Sequence, residues 1–193
     1  AGDLGLGVNP ALLARIRAAD LLLLVGGRLS EVPSQGYTLL DIPTPQIPLV
    51  HVHPDPDELG RVYQAQLPIN ATPTAFCATL PTQATQAAQA PSPERQQAVQ
   101  AAHAAYQAWS DPAPIRIPGD LQMGAVMQHL RAVLPEDTVF CNGAGNFATW
   151  VHRFWPFRAF GSQLAPTCGS MGYGVPAAVA AKAYMPERTI MAF

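Results

Sequence analysis

Short apolar runs that alternate with helical patterns constrain the fold of this chain most. Leu21 to Val25 is an unbroken apolar run that leads into Gly-Gly, and the segments 48–53 (PLVHVH), 137–142 (DTVFCN) and 189–193 are similarly short and β-prone. Strands that are apolar along their whole length are typical of parallel sheets, which are covered on both faces. Helices between such strands form right-handed crossovers. The sequence therefore predicts an α/β fold of two partial Rossmann-like segments with parallel strands, joined by a linker and a helix.

Apolar periodicity and end signals predict where the helices lie. The last helix is expected to begin near Met171 with Ser170 as its N-cap, and to end at Pro186. Its many alanines would let it pack closely against a neighbour. The other predicted helices are Asn9 to Ala19 with Pro10 at its first position, a short one within 55–63, 71–80 capped by Thr72, about Glu94 to Trp109, 119–134, and one entered from a Gly-rich turn within 143–151.

Composition excludes several classes of partner. Charged residues are 12% of the 193 residues and the net charge is −2, so nothing favours nucleic acid or an anionic membrane. No apolar run approaches the roughly 20 residues of a membrane span. The three cysteines, Cys77, Cys141 and Cys168, are widely spaced and lack metal-type pairing, which favours reduced, buried or semi-buried thiols in a cytoplasmic protein.

Three segments carry distinctive motifs: residues 169–188 (GSMGYGVPAAVAAKAYMPER), 18–31 (AADLLLLVGGRLSE) and 48–70 (PLVHVHPDPDELGRVYQAQLPIN). These segments resemble thiamine-diphosphate enzymes of the acetolactate synthase type. The first is similar to the start of the diphosphate-binding domain, and the other two are similar to the central domain. Residues 81–93 (PTQATQAAQAPSP) have the composition of a linker. The expected organisation is the C-terminal part of a central domain over 1–80, a linker and crossover helix over 81–114, and the N-terminal part of a thiamine-diphosphate-binding domain over 115–193.

The resemblance also implies an activity. Enzymes of this type decarboxylate a 2-oxo acid such as pyruvate and join the product to a second molecule, with thiamine diphosphate and Mg²⁺ as cofactors. Family active sites lie between subunits, so a homo-oligomer, a dimer or tetramer, is expected. By the same pattern the metal-binding Gly-Asp-Gly would begin within about two residues of Phe193 and the catalytic glutamate would belong to another domain. The polypeptide alone is therefore expected to be inactive, with its magnesium ligands missing.

Two segments match the family's cofactor contacts. The Gly169 carbonyl would accept a hydrogen bond from the aminopyrimidine, and Met171 would be the apolar wedge under the bent cofactor, although without the surrounding motif a methionine at a helix start would be interpreted as a core residue. The Gly-rich turn before a helix would present backbone N–H groups to the diphosphate. Asn146-Phe147 stands where the synthases often carry Gln-His, so an imidazole is lost there. The expected cofactor-binding residues are Ala144, Gly145, Asn146, Phe147, Gly169, Ser170 and Met171, with no catalytic residue in the chain.

Other polar residues support weaker interpretations. His51 and His53 share one face of a strand, which favours a strand-end packing or surface role over metal binding because a third ligand is lacking. His53 and Asn70 stand where FAD-binding relatives can carry an acidic residue, which makes FAD doubtful. Arg28 could contact a nucleotide or simply be solvated. A second class of function stays open: a non-catalytic α/β binding or regulatory module derived from the same family.

Overall fold

The computed structural model describes residues 2–87 and 92–193, without the side chains of 81–87. The chain divides into two compact units, one up to Tyr106 and one from Gln107 to Phe193. Both contain a parallel sheet with helices, so the predicted α/β fold is confirmed. No helix within the described ranges is long and apolar enough to cross a membrane.

The first unit is built on a three-stranded parallel sheet. Its strands are β1 (Leu22–Val25), β2 (Leu49–His53) and β3 (Leu67–Asn70), in the order β1-β2-β3. The helices are α1 (Pro10–Arg17), α2 (Pro73–Ala87) and α3 (Pro93–Trp109), with a 3-10 turn at Pro56–Glu58. The unit ends within α3.

Local signals and burial explain why these elements form. The Asn9 side chain accepts a hydrogen bond from the Ala11 N–H at 3.0 Å, and Pro10 follows it at the first helical position. The apolar face of α1 then packs on a core cluster that includes Leu39, Leu49 and Tyr63. That core lies on the sheet, and β2 is its central strand.

The second unit holds the other sheet. Its strands are β4 (Val139–Cys141), β5 (Gln163–Leu164) and β6 (Ile190–Ala192), all parallel in the order β5-β4-β6. Its helices are α4 (Met123–Val133), α5 (Ala148–Phe154) and α6 (Gly174–Tyr184). The central strand β4 is fully buried, and Phe140 from it packs on Trp155 with ring centroids 4.5 Å apart. The carboxyl end of β4 is therefore held rigidly, and it leads directly into one of the two candidate segments.

Several boundaries differ from those predicted. Strands β3 and β5 were not predicted, because four and two residues are too short to show a period. Helix α2 continues to Ala87, so residues 81–87 are helical rather than linker; the rest of the proposed linker up to 91 lies outside the described residues.

The start of α6 was also predicted wrongly. Gly169 and Gly172 have φ of +71° and +80°, which a right-handed helix cannot contain, so the helix begins at Gly174. Ser170 is therefore not the N-cap. Tyr173 holds that position and makes no side-chain capping bond.

Candidate functional site

The turn that joins β4 to α5 is shaped by glycine. Gly145 has φ of +155°, and a Cβ on it would lie 2.6 Å from Cε1 of Phe147. The Phe147 ring also lies 3.3 Å from where a Cβ of Gly143 would stand. The ring therefore packs on the two glycines, and neither position leaves much room for a side chain. Phe147 is still 46% exposed, so the turn lies at the surface.

Backbone donors are concentrated on this turn. In the part of the chain that the structure describes, the N–H groups of Ala144, Gly145, Asn146 and Phe147 donate to no protein acceptor. The first bonded N–H after them is that of Ala148, which donates to the Gly145 carbonyl at 3.0 Å. Consecutive free N–H groups ahead of a helix attract an anion. The turn thus has the chemistry of a phosphate-binding segment.

The second segment, Cys168 to Tyr173, is open to solvent. Nothing lies within 4 Å of where a Cβ of Gly169 or Gly172 would stand. Met171 is 87% exposed, so it is not a core residue. An exposed methionine beside two glycines in the left-handed region can contact a flat ring without losing any packing. The segment is therefore accessible to a ligand along its backbone.

Gly174 brings the two segments together. A Cβ on this residue would lie 2.8 Å from the Gly143 nitrogen and 3.2 Å from the Cys141 carbonyl oxygen. The first turn of α6 therefore rests directly on the end of β4. Because Met171 is three residues before Gly174 and Ala144 follows Gly143, both candidate segments border the same contact. All seven residues predicted from the sequence lie on these two segments.

The donors of the turn have the chemistry that a diphosphate group requires. Its N–H groups have no acceptor among the described residues, and an exposed methionine lies on the neighbouring segment. None of the seven side chains titrates near neutral pH. The described residues also contain no group of three or more His, Cys, Asp or Glu side chains that could hold a metal ion.

An exposed thiol borders the site, and the sequence did not indicate it. Cys168 is exposed rather than buried, and its Sγ lies 3.0 Å from the Ser170 Oγ. The Ser170 hydroxyl, by hydrogen bonding, lowers the pKa of the Cys168 thiol. Cys77 is exposed as well, and only Cys141 is buried, where desolvation raises its pKa. Neighbours two residues apart could have suggested the Cys168–Ser170 pair.

A buried asparagine with two polar partners supports the same turn. Asn142, the residue after β4, is 1% exposed. Its Oδ1 lies 3.2 Å from the His152 Nε2 and accepts from the Gln163 Nε2 at 3.3 Å, while its Nδ2 donates to the Gly143 carbonyl at 3.0 Å. No pattern in the sequence links these positions, since they come from three different elements.

The corresponding edge of the first sheet is occupied by internal contacts. His51 and His53 are buried, with His51 Nε2 2.9 Å from the Gly27 carbonyl and His53 Nδ1 accepting from the Asp55 N–H at 3.1 Å. Their predicted packing role is confirmed. Asn70 donates to the His53 carbonyl, and Arg28 lies 3.6 Å from the Glu58 carboxylate. These side chains are engaged within the protein.

Two family models match this chain, one in each half of the sequence. The thiamine pyrophosphate enzyme central domain matches residues 1–80, and the C-terminal TPP binding domain of the same enzymes matches residues 143–193. The chain belongs to the thiamine pyrophosphate enzymes. Together the two domain matches cover most of the sequence, and the predicted resemblance is confirmed.

Curated relatives of this thiamine pyrophosphate enzyme chain are acetolactate synthases. The acetolactate synthase large subunit of Corynebacterium glutamicum is 27% identical over 181 residues, which is 92% of this chain and 28% of that protein. Acetolactate synthase of Mycobacterium bovis and the large subunit IlvB1 of Mycobacterium tuberculosis are each 24% identical over 183 residues, 94% of this chain and 29% of theirs. The chain therefore spans less than a third of the length of these relatives.

Proposed function

We propose that this chain carries part of the thiamine-diphosphate site of an enzyme that decarboxylates a 2-oxo acid and joins the product to a second molecule, as an acetolactate synthase does. The observation that carries the proposal is the row of N–H groups from Ala144 to Phe147, which have no acceptor within residues 2–87 and 92–193, next to the open segment at Gly169. A small 2-oxo acid is the substrate class.

The two segments contact different parts of the cofactor. Ala144, Gly145, Asn146 and Phe147 hold the diphosphate by backbone donation. The Gly169 carbonyl accepts a hydrogen bond from the aminopyrimidine, Ser170 lines that contact, and Met171 supports the bend between the rings. When bound, thiamine diphosphate supplies an electron sink for the carbanion that decarboxylation leaves. The residues of this chain bind and orient it.

Binding by these residues alone is weak. Each backbone hydrogen bond to a group that water can also reach contributes about 0.5–1.5 kcal/mol. Four of them fall short of the roughly 8 kcal/mol that micromolar affinity requires. Since the seven residues include no carboxylate, Mg²⁺ adds little to the affinity of this polypeptide, although it is the expected cofactor of the complete site.

The polypeptide as given turns over no substrate by itself. None of its seven proposed cofactor contacts can exchange a proton near neutral pH, and Phe147 provides no imidazole. Incubation with pyruvate, thiamine diphosphate and Mg²⁺, followed by measurement of released carbon dioxide, tests this. Steady release above the rate without protein would overturn it.

Chemical-shift mapping tests the binding itself. We expect thiamine diphosphate to shift the amide resonances of residues 144–147 and 169–171, and thiamine without phosphates to shift only the second group. Shifts confined to any other part of the chain would refute the proposed site.

One observation favours the second candidate, a non-catalytic α/β binding or regulatory module. The Phe147 ring packs on the turn in place of a polar side chain. Such a module would show no decarboxylation even when combined with the domains of a relative that lie outside the matched region. FAD remains doubtful, because His53 and Asn70 are bonded within the protein and offer no carboxylate to a ribose.

A further inference from the structure

The buried side-chain amide of Asn142 forms hydrogen bonds to the candidate turn and to two neighbouring elements, α5 and β5. It is 1% exposed, so an unpaired polar atom on it would be costly. Its oxygen is held by Gln163 of β5 at 3.3 Å and by His152 of α5 at 3.2 Å. The side-chain Nδ2 of Asn142 donates to the carbonyl of the next residue, Gly143, at 3.0 Å. Three elements of the second unit therefore meet at one side chain.

These bonds fix the first residue of the turn. The Gly143 carbonyl is held by Asn142, and the Gly143 N–H donates to the Phe193 carbonyl at 3.2 Å. Both polar groups of Gly143 are thus committed to the protein. The N–H groups that follow, from Ala144 onward, are the ones without a protein acceptor among the described residues. The boundary between bonded and unbonded backbone falls directly after the residue that Asn142 holds.

We propose that Asn142 is a positioning residue: by holding Gly143, with His152 and Gln163 as its anchors, it keeps the N–H groups of the turn arranged for a diphosphate. This inference rests on the proposed function, since the ligand is the same. Preorganised donors bind more tightly than donors that must first be ordered. A disordered turn would keep the same N–H groups and bind the anion less well.

The positioning role of Asn142 can be tested by titrating the whole 193-residue chain with inorganic pyrophosphate. Amide chemical shifts report the binding. Asn142→Leu keeps the shape and removes all three bonds, and we expect it to weaken pyrophosphate binding at least fivefold. Asn9→Asp is the matched control, because Asn9 is also a buried amide that donates to a backbone carbonyl, that of Ala105, but in the first unit. It should leave the affinity unchanged.

A second pair of variants covers the case in which Asn142→Leu does not fold. His152 is exposed, so its replacement is tolerated more easily. His152→Phe removes the donor to Asn142 and should weaken binding, while His152→Gln keeps a donor and should restore it. If His152 had a purely structural role, the two variants would bind pyrophosphate equally well whenever their melting temperatures are equal.

The outcomes separate the two proposals. If pyrophosphate and thiamine diphosphate leave the wild-type turn unshifted, the proposed function falls. If the wild-type turn responds and folded Asn142→Leu or His152→Phe binds with the wild-type constant, only the positioning role of Asn142 falls.

Discussion

Replacing Gly174 by alanine tests the contact that joins the two candidate segments. The new Cβ would lie 2.8 Å from the Gly143 nitrogen, 3.1 Å from the Asn142 carbonyl carbon and 3.2 Å from the Cys141 oxygen. All three are backbone atoms of the turn and of the buried strand β4, so they cannot rotate away. The helix must move instead, and the contact that aligns the segments is lost.

The size of the effect follows from two opposed terms. Alanine in a helix is favoured over glycine by about 0.5–1 kcal/mol, whereas overpacking costs about 1–3 kcal/mol. We expect a net loss of about 1–2 kcal/mol, which lowers the melting temperature of a unit of this size by about 5–15 °C.

Tryptophan fluorescence is a selective assay for this loss. All three tryptophans, Trp109, Trp150 and Trp155, belong to the second unit, so their emission during heating reports that unit alone. Gly143→Ala is the matched control, because its Cβ meets only the half-exposed Phe147 ring, at 3.3 Å, and that ring can shift. A Gly174→Ala protein that melts with the wild type, or a Gly143→Ala protein that falls equally far, would refute the reasoning.

Three further predictions concern other contacts. Cys168 should react with iodoacetamide at lower pH than an ordinary thiol, because the Ser170 hydroxyl lowers the pKa of the Cys168 thiol and the thiolate is the reactive form. Ser170→Ala should raise the pH at which alkylation is half as fast as its maximum. Peptide mass spectrometry that finds the same pH dependence in both proteins would contradict this. Arg153→Met should destabilise the second unit by about 1–3 kcal/mol. The Arg153 guanidinium lies 3.5 Å from the centroid of the Trp109 ring, and its Nε donates to the Trp109 carbonyl at 2.8 Å. Unchanged thermal unfolding of this variant would count against the prediction. Exposed apolar side chains on α6, including Val179 at 67%, should cause self-association at micromolar concentration. Val179→Lys should reduce that association. Sedimentation that shows only a wild-type monomer would refute the prediction.

The sequence was informative where the signal is local and long. The runs around Leu22–Val25 and Leu49–His53 are parallel strands, as short runs rich in Leu and Val between turn residues predict. Burial differs between them: β2 lies almost wholly in the core, whereas Leu23 of β1 is exposed. The Asn9-Pro10 pair placed the start of α1, since a cap and a first-turn proline act within a few residues. The division into domains over 1–80, 81–114 and 115–193 stays a prediction.

What the sequence did not reveal depends on tertiary contacts. Ser170 has the chemistry of an N-cap, but Gly172 at φ +80° interrupts the helix, and the hydroxyl pairs with Cys168 instead. The support of the turn by Asn142 depends on Gln163, which is 21 residues away along the chain and on a strand of two residues. Such a pair exists only after the sheet has formed. The seven proposed cofactor contacts likewise came from the resemblance and not from spacing.

Thiamine diphosphate is proposed to bind this chain through the turn at Gly145. Calorimetric titration of the wild-type chain with and without Mg²⁺ measures that directly, alongside Gly145→Ala, whose Cβ would lie 2.6 Å from Phe147 at a backbone angle that disfavours alanine. We expect a millimolar constant that Mg²⁺ hardly changes and that Gly145→Ala weakens severalfold. A magnesium-dependent micromolar constant, or equal binding by Gly145→Ala, would contradict the claim that unpaired backbone donors of this turn hold the cofactor.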